Sequence, residues 1–266
     1  MQAPAFVCLP LTFDAAPLLA EASALGESLW VSHFNANYHD GGWQGVALRS
    51  IDGDAGRLYG DPNAREEFRD TALTASCPNT IAALRRIECP LRSVRILRLA
   101  PGSVIREHRD DGLSLENGEA RLHIPLATND DVEFYLDNVR VIMRPGECWY
   151  LDFSRPHRVH NRGKADRIHL VVDCGVNEWL MARLAEGRVP ERQAGKRSGQ
   201  EDFALFRAWV HERDDAQQAL LAVPETDAFM SKCIELGRAN GFEFGPEDVR
   251  AAMMRGRQSW LMQWTV

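Results

Sequence analysis

The sequence predicts a mainly β protein with helices, in which a jelly roll of the double-stranded β-helix type is followed by a small helical domain. Three observations lead to this prediction. Between residues 93 and 174 the apolar residues fall into about eight short runs divided by turn signals, which is typical of a sandwich or barrel. After Asn177 the strand signals stop and the apolar spacing becomes helical. The strand-rich segment also contains two histidines and an aspartate in the pattern of a metal site.

The first 90 residues or so mix helix and strand signals. Residues 15–30 carry apolar side chains at helical spacing, and Asp14 precedes them as a predicted N-cap. Residues 45–50 predict a short strand, and residues 79–87 predict a helix. We therefore expect an α/β extension at the N-terminal side of the barrel.

The barrel itself is predicted from alternating apolar runs and the turns between them. Pro101-Gly102 and Pro145-Gly146 mark turns, and residues 136–139 predict a tight hairpin. The strand that begins at Arg167 is expected to pair antiparallel with the strand that holds His157. The predicted strands comprise residues 94–99, 104–110, 121–126, 132–136, 139–143, 148–152, 157–161 and 167–174.

The remainder of the chain divides into a linker and a helical domain. Residues 178–185 predict a helix, and residues 186–200 are charged, contain glycine and are poor in large apolar side chains. From residue 201 to about residue 254 the spacing is helical again. We predict a double-stranded β-helix domain with its α/β extension over 1–185, a linker over 186–200, and a small helical domain over 201–266.

Composition excludes several classes of function. The chain has 266 residues, of which 45% are hydrophobic and 26% charged, as in an ordinary globular protein. Its net charge of -7 argues against nucleic acid or an anionic membrane as the main partner. The apolar runs are too short to span a bilayer, and the first residues lack the basic region of a signal peptide. Six scattered cysteines without a C-x-x-C pair predict reduced, buried thiols in a cytoplasmic protein, with disulfides as the alternative.

The predicted metal site consists of His108, Asp110 and His157. Side chains two residues apart point to the same face of a strand, so His108 and Asp110 can reach one metal while Arg109 points away. Two imidazoles and one carboxylate form the facial triad that holds non-haem Fe(II) and leaves three coordination positions open. Zinc can bind the same three ligands, so the triad alone leaves the metal undecided.

Arg167 lies ten residues beyond His157 and tilts the choice towards iron. Its planar guanidinium can form a bidentate, charge-assisted pair with the distal carboxylate of 2-oxoglutarate, the cosubstrate of one class of non-haem iron oxygenase. The alternative interpretation of Arg167 is a surface salt bridge. His169, two residues further, is expected to face the same cavity or to be packed and hydrogen-bonded in the core.

About half of the chain, from residue 43 to residue 174, resembles the bacterial branch of the aspartyl/asparaginyl β-hydroxylase family, which includes free-proline hydroxylases. The resemblance implies that His108, Asp110 and His157 are iron ligands and that Arg167 anchors 2-oxoglutarate. The matching runs are GGWQGVALRS, DTALTASCP, SVRILRLAPGSVIREHRD, EARLHIPLATN, PGECWYLDFSRPHRVHN and DRIHLVVD.

Two further residues, Arg121 and His123 in the run ARLHIPL, match positions that line the cosubstrate pocket in this family. The resemblance also implies the reaction: an Fe(II)- and 2-oxoglutarate-dependent dioxygenase that uses O2 to hydroxylate an unactivated C–H bond. The implied substrate is a small molecule or peptide, either an amino acid or an aspartyl, asparaginyl or prolyl residue.

Asp110 distinguishes this chain within the resemblance. The best-known vertebrate members lack the carboxylate of the triad, and related halogenases use the vacancy for chloride. Because Asp110 fills this position, hydroxylation is favoured over halogenation. Asp111 is expected to point to the opposite face of the strand, although a β-bulge would reverse that choice.

Other residues near the motif have two interpretations. His160 is expected to face away from His157, because an offset of three residues changes the face of a strand, yet it remains a rival ligand. Trp43 and Arg49 either line a substrate channel or serve the core and an ion pair. His33, His39 and His211 have no recognisable spacing.

Two other classes of function remain open. One is a cupin-type hydrolase or isomerase that uses zinc or manganese and ignores 2-oxoglutarate. The other is a non-catalytic sensor or adaptor, in which the barrel binds a small acid and the helical domain binds a partner. The complete triad argues against the second class, because a binding module does not need three open positions on a metal.

The C-terminal domain is similar to the nitrile-hydratase-like leader domain, a small helical domain. Gly241 is predicted as a helix C-cap and Pro246 as the first residue of the next helix. The resemblance implies recruitment of a partner or substrate peptide; the alternative is a helical appendage that packs on the barrel or forms a dimer. The matching residues are Phe206-Arg207-Ala208-Trp209-Val210, Asp214, Gln217, Leu220, Asp227, Phe229 and Gly241-Phe242-Glu243-Phe244. The predicted apolar faces contain Leu205, Trp209, Leu220, Leu221, Phe229, Cys233 and Leu236.

Overall fold

The computed structural model describes residues 4–33, 39, 41–58, 67–110, 112–137, 139–189, 199–211 and 213–262. The chain divides into two compact units, residues 1–191 and residues 192–266. Residues 190–198 of the predicted linker lie outside the described residues, as do Asp111 and Asn138 of the predicted hairpin.

The described part of the first unit contains twelve β-strands and three α-helices. The strands are β1 (Phe6–Thr12), β2 (Val31–Ser32), β3 (Trp43–Ile51), β4 (Phe68–Asp70), β5 (Leu91–Leu99), β6 (Val104–His108), β7 (Glu119–Ala127), β8 (Val132–Leu136), β9 (Val139–Arg140), β10 (Glu147–Leu151), β11 (His157–Asn161) and β12 (Arg167–Gly175). The helices are α1 (Ala15–Ala24), α2 (Pro78–Leu84) and α3 (Glu178–Glu186).

The strands form two antiparallel sheets. The larger sheet has the order β1-β10-β7-β12-β5-β3-β2, with β4 added beside β3, and the smaller has the order β6-β11-β8-β9. The eight strands β5 to β12 correspond to the eight predicted between residues 93 and 174, although β6 ends at His108 instead of Asp110 and β9 is shorter than expected. This arrangement is the predicted jelly roll, so the predicted fold class is confirmed.

One predicted strand pairing was wrong. β12, which begins at Arg167, pairs with β5 and β7 in the larger sheet. His157 begins β11, which pairs with β6 and β8 in the smaller sheet. Consecutive strands therefore pass from one sheet to the other at this point of the chain. Arg167 and His157 therefore belong to different sheets.

Alternation along the strands creates two layers of core. One layer lies between the sheets and combines Leu97, Leu99 and Val171 of the larger sheet with Phe134 and Val159 of the smaller. The other layer packs the opposite face of the larger sheet against the helices. It includes Leu18, Leu84, Leu180, Val46, Ile96, Leu122 and Leu170. On the larger sheet, Arg95, Arg121, His123, Arg167, His169 and Asp173 follow the same two-residue alternation as Leu97 and Val171 and share their face.

The N-terminal extension follows the prediction with one difference. The Asp14 side chain accepts a hydrogen bond from the Ala16 amide at 3.2 Å, so the predicted N-cap is confirmed. Helix α1 ends at Ala24 rather than continuing to Trp30. After Ala24 the chain makes a short 3-10 turn at Glu27–Leu29 and enters β2.

Glu21 of α1 fixes the start of α2. Its two carboxylate oxygens accept from the Asn79 amide at 2.6 Å and side chain at 2.7 Å, and from the Thr80 amide at 2.9 Å and hydroxyl at 2.7 Å. Burial by itself raises the pKa of Glu21, but these hydrogen bonds outweigh it and the pKa is lowered. The carboxylate therefore accepts from amides at the helix N-terminus that have no partner inside the helix.

We expect Glu21→Gln to lower the free energy of unfolding by about 2–3 kcal/mol, because one amide group cannot accept all four hydrogen bonds. Urea denaturation measures this change. The metal site described below should be unaffected, because Glu21 packs on the other face of the larger sheet. A denaturation midpoint equal to that of the wild type would contradict the role of Glu21.

The second unit is helical in its described part. Its helices are α4 (Gly199–His211), α5 (Asp214–Leu221), α6 (Thr226–Ala239) and α7 (Pro246–Met262). Gly241 has a positive φ of 81° just after α6, and Pro246 begins α7, as predicted. Leu221 was wrongly predicted to lie on an apolar face, since it is 81% exposed at the end of α5. The core of this unit contains Phe203, Phe206, Leu220, Met230, Cys233, Phe244, Val249 and Ala252.

Two further expectations concern the whole chain. All six cysteines are buried free thiols, as predicted. Among the described residues, no helix is both long enough and apolar enough to cross a membrane.

Candidate metal centre

The structure brings His108, Asp110 and His157 together. One donor atom from each residue lies within 4.8 Å of the others, which is a suitable separation for a shared metal ion. No other group of three such side chains meets this condition in the described part of the chain. The sequence-predicted triad is therefore also a spatial cluster.

Strand register explains how the cluster forms. His108 is the last residue of β6 and pairs directly with His157, the first residue of β11. The centroids of the two imidazole rings are 4.2 Å apart. Asp110 lies just past the end of β6, where its amide donates to the Phe153 carbonyl at 2.9 Å. This hydrogen bond ties Asp110 to the turn that leads into β11.

Backbone carbonyls fix the tautomer of both histidines. The Nδ1 of His108 lies 2.7 Å from the Arg106 carbonyl oxygen, and the Nδ1 of His157 lies 3.0 Å from that of Arg155. Because a carbonyl oxygen only accepts, each Nδ1 must carry the proton and donate it. Each Nε2 then has the lone pair that metal coordination needs. The Nε2 of His108 is 3.7 Å from Oδ1 of Asp110.

The electrostatics of the cluster favour metal-binding protonation states. Burial, together with the neighbouring charge of His108, lowers the pKa of His157 to about 4. Burial alone raises the pKa of Asp110, but the charges of Arg121, His157 and His108 outweigh it and the pKa is lowered. At neutral pH His157 is therefore neutral and Asp110 ionised, as ligands of a divalent cation must be. This donor set fits Fe(II).

Arg121 lies beside the cluster and contacts its carboxylate. Its Nη1 donates to Oδ2 of Asp110 in a short ion pair. Its Nε and Nη2 donate to the two carboxylate oxygens of Asp173 at 2.6 and 3.0 Å. Asp173 also accepts a short hydrogen bond from Nη2 of Arg95, whose Nη1 donates to the Leu58 carbonyl at 3.0 Å. Two arginines and two aspartates therefore form one network.

Arg167 is buried, with 2% of its surface exposed. Its Nη2 donates to Nδ1 of His169 at 3.0 Å, and its guanidinium carbon lies 5.8 Å from the centroid of Phe134. No carboxylate of the described residues pairs with Arg167, and its Nε has no hydrogen-bond partner among them. Burial lowers the pKa of Arg167 to about 9, so the side chain is still a cation at neutral pH. The alternative interpretation, a surface salt bridge, does not hold.

Arg167 and His169 line a cavity of about 220 Å³. A buried cation without an acidic partner is costly unless an anion is supplied from outside the chain. A cavity at such a cation is therefore a candidate anion site. The other lining residues are Thr128, Asn129, Asp130, Val132, Phe134, Arg140, Val141, Ile142 and Met143.

His123 lies between this cavity and the metal cluster. Its Nδ1 is 3.2 Å from Nδ1 of His169, and its ring stacks on Phe153 with centroids 5.0 Å apart. Phe153 in turn meets the ring of His157 edge-on at 4.6 Å. The Nε2 of His123 is buried and has no hydrogen-bond partner among the described residues. Arg121 thus contacts the cluster directly, whereas His123 is linked to it through Phe153 and Arg167 through His169 and His123.

His33 and His39, which have no recognisable spacing in the sequence, pack around Trp43. His33 stacks on Trp43 with centroids 3.6 Å apart, and His39 meets the indole edge-on at 6.0 Å. Trp43 lies 6.2 Å from the ring of His108, so this aromatic group borders the metal cluster. His160 does not join the cluster, as expected for its offset.

Other missed residues had a weak signal in the sequence. Asp173 shares the two-residue period of Arg167 and His169 on β12, so its position on the inner face was predictable although its partner was not. On β5, Arg95 stands two residues before Leu97, so the two side chains share one face of the strand. Arg49, by contrast, pairs with Asp70 at 2.7 Å, which supports the ion-pair interpretation.

A jelly roll that holds two histidines and one aspartate in one cluster is typical of non-haem iron proteins. Comparison with known families makes this more specific. The family model for aspartyl/asparaginyl β-hydroxylase matches residues 15–175, which is more than half of the chain. The chain therefore belongs to the aspartyl/asparaginyl β-hydroxylase family, as predicted.

The chain is also similar to individual proteins. The L-proline cis-4-hydroxylase of Rhizobium meliloti (strain 1021) is 29% identical over 170 residues, which is 60% of this chain and 57% of that protein. The match thus spans less than two thirds of the relative's length. The family match ends at residue 175, and nothing in the comparisons supports the resemblance of the C-terminal domain to a nitrile-hydratase-like leader domain.

Two solved structures are similar at a lower level. An oxidoreductase of the 2OG-Fe(II) oxygenase family from Burkholderia pseudomallei has 20% identity and a TM-score of 0.45, covering 65% of this chain and 86% of that one. The viral collagen prolyl hydroxylase of Paramecium bursaria Chlorella virus 1, solved with 2OG, has 9% identity and a TM-score of 0.38, covering 65% of this chain and 97% of that one.

Proposed function

We propose that this protein is an Fe(II)- and 2-oxoglutarate-dependent dioxygenase that hydroxylates a C–H bond. One observation carries the proposal: the cluster of His108, Asp110 and His157 is accompanied by a buried cation, Arg167, that has no acidic partner among the described residues and lines a cavity. A triad alone is compatible with several metals. A triad together with a site for a dicarboxylate favours the oxygenase.

The residues have distinct roles in this proposal. Nε2 of His108, Nε2 of His157 and Oδ1 of Asp110 would hold Fe(II), and Arg167 would bind the distal carboxylate of 2-oxoglutarate. Fe(II) and the cosubstrate together supply the oxidation of C–H to C–OH by O2, with succinate and carbon dioxide as the other products.

The surrounding side chains position these groups and exclude water. Arg121 and His123 are proposed to line the cosubstrate pocket, between the metal ligands and Arg167. The rings of Phe134 and Phe153 form an apolar wall on the same side. Such a wall keeps the charge of Arg167 unscreened, which strengthens its pairing with an anion.

The proposed substrate is an amino acid, or an aspartyl, asparaginyl or prolyl residue of a peptide. This proposal is supported by the family and by the similarity to a protein named as an L-proline hydroxylase. The test is incubation with Fe(II), 2-oxoglutarate, O2 and a panel of free amino acids and short peptides. Mass spectrometry should detect one added oxygen atom and an equal amount of succinate. No oxygenated product from any substrate, and no succinate, would contradict the proposal.

We also propose that the C-terminal helical domain recruits a peptide or protein partner. It is a separate compact unit with its own core, and it lies outside the family match. A chain that ends before Gly199 should then lose activity on peptides, through a higher KM, and keep its activity on free amino acids. Unchanged activity on every substrate would contradict this role.

The buried free thiols support a reducing, cytoplasmic location.

A further inference from the structure

We propose that Asp173 is a positioning residue for the metal centre: by holding Arg121 with two hydrogen bonds, it keeps Oδ1 of Asp110 available for the metal. The inference rests on the proposed function, because it concerns the iron ligand Asp110. It adds a residue that does not belong to the triad and that acts through another side chain.

The contacts of Arg121 define this role. Its Nε and Nη2, one edge of the guanidinium, donate to Oδ1 and Oδ2 of Asp173 at 2.6 and 3.0 Å. The opposite nitrogen, Nη1, donates to Oδ2 of Asp110. Arg121 therefore meets Asp173 with two nitrogens and Asp110 with one. Oδ1 of Asp110 is left on the side of His108, whose Nε2 is 3.7 Å away.

Without Asp173 the same guanidinium would compete with the metal. Arginine and carboxylate prefer a bidentate arrangement with two parallel hydrogen bonds. If the edge of Arg121 that now meets Asp173 lost its partner, the guanidinium could turn and bind both oxygens of Asp110. Oδ1 would then be occupied by a cation of the protein instead of the metal. Asp173 prevents this by engaging that edge.

Register and charge balance support the assignment. Asp173 and Arg121 are direct partners across β12 and β7, so the strand pairing fixes their relative position. Asp173 also pairs with Arg95 of β5, the strand on the other side of β12. Among the described residues, the network joins two arginines to two aspartates. Burial alone raises the pKa of Asp173, but the two arginines outweigh it and the pKa is lowered.

The test measures metal affinity rather than turnover. Mn(II) serves as the probe, and its binding to the full-length, metal-free protein is followed by the electron paramagnetic resonance of the unbound ion. Asp173→Asn is expected to weaken Mn(II) binding about tenfold or more, the range for outer contacts of metal ligands. Arg121→Lys should weaken Mn(II) binding similarly, because one lysine ammonium cannot hold Asp173 and Asp110 in the same arrangement. This variant keeps the positive charge, and it serves as the second test if Asp173→Asn does not fold.

A double-mutant cycle separates positioning from other effects. In an Arg121→Met background, Asp173→Asn should cause no further loss of Mn(II) affinity, since no guanidinium remains to be positioned. A simple loss of negative charge near the metal would weaken binding in both backgrounds. Glu21→Gln is the matched control, because it removes a buried, hydrogen-bonded carboxylate away from the metal cluster and should leave Mn(II) affinity unchanged.

The outcomes are distinguishable. If the wild type binds no Mn(II), or binds it equally after His157→Ala, the proposed metal site itself is wrong and this inference falls with it. If the wild type binds through His157 but folded Asp173→Asn or Arg121→Lys retains full affinity, only the role of Asp173 is refuted. An additive double mutant also refutes it. The role of Asp173 is supported if Asp173→Asn lowers Mn(II) affinity when Arg121 is present and causes no further loss in the Arg121→Met background.

Discussion

His157→Ala is expected to abolish iron binding and hydroxylation together. His157 supplies one of three ligands, and no other group of three such side chains occurs in the described part of the chain. Loss of an outer contact of a metal ligand already costs 10- to 100-fold in affinity. Removal of the ligand itself should therefore lower Fe(II) affinity by more than about 100-fold.

The measurement is a titration of the metal-free protein with Fe(II) under anaerobic conditions, followed by assays of succinate. His160→Ala is the matched control, because it changes another histidine of β11 that does not belong to the metal cluster. His108→Ala should behave like His157→Ala. Persistent iron binding and turnover in both variants would refute the assignment of these ligands.

Arg167→Ala is expected to weaken 2-oxoglutarate binding by about 100-fold, which corresponds to roughly 3 kcal/mol for the loss of charge-assisted hydrogen bonds. Fe(II) affinity should change little, because Arg167 does not contact the metal ligands. Arg167→Lys should lie between wild type and alanine, since it keeps the charge but not the planar fork. The dissociation constant for 2-oxoglutarate is measured with Fe(II) present and O2 absent.

A second property separates an anchor from a structural arginine. Because no described carboxylate pairs with Arg167, its removal leaves no buried anion without a partner. We therefore expect Arg167→Ala not to lower the thermal stability of the ligand-free protein beyond the loss of side-chain packing and of the hydrogen bond to His169. Arg49→Ala, which breaks the ion pair with Asp70, serves as the control for a structural arginine. Unchanged 2-oxoglutarate affinity in Arg167→Ala would remove its proposed role.

Much of the barrel could be predicted because its signals are local. Alternating apolar residues and turn residues mark β8 and β11 at their observed bounds. The triad was found for a related reason: His108 and Asp110 have a short spacing in a strand, and the second histidine stands at the start of another strand. Arg167 was singled out by its position ten residues beyond His157 and by its guanidinium chemistry, and the resemblance to a family then supported it.

The errors and omissions concern contacts between distant parts of the chain. The pairing of the Arg167 strand was wrong because adjacency in sequence favours pairing, whereas this jelly roll places β11 and β12 in opposite sheets. The hydrogen bonds from Arg121 to Asp110 and Asp173 join residues of different strands, and single-sequence periodicity carries no information on them. The stacking of His33 on Trp43 beside His108 is another long-range contact of this kind.

The central claim is that one site binds Fe(II) and 2-oxoglutarate together, and anaerobic visible absorption tests it most directly. Fe(II) and then 2-oxoglutarate are added to wild type, His157→Ala and Arg167→Ala. We predict a metal-to-ligand charge-transfer band in the wild type, no band in His157→Ala, and a band in Arg167→Ala only at much higher 2-oxoglutarate concentration. A wild type that binds Fe(II) but shows no band would contradict the account and favour a cupin-type hydrolase or isomerase.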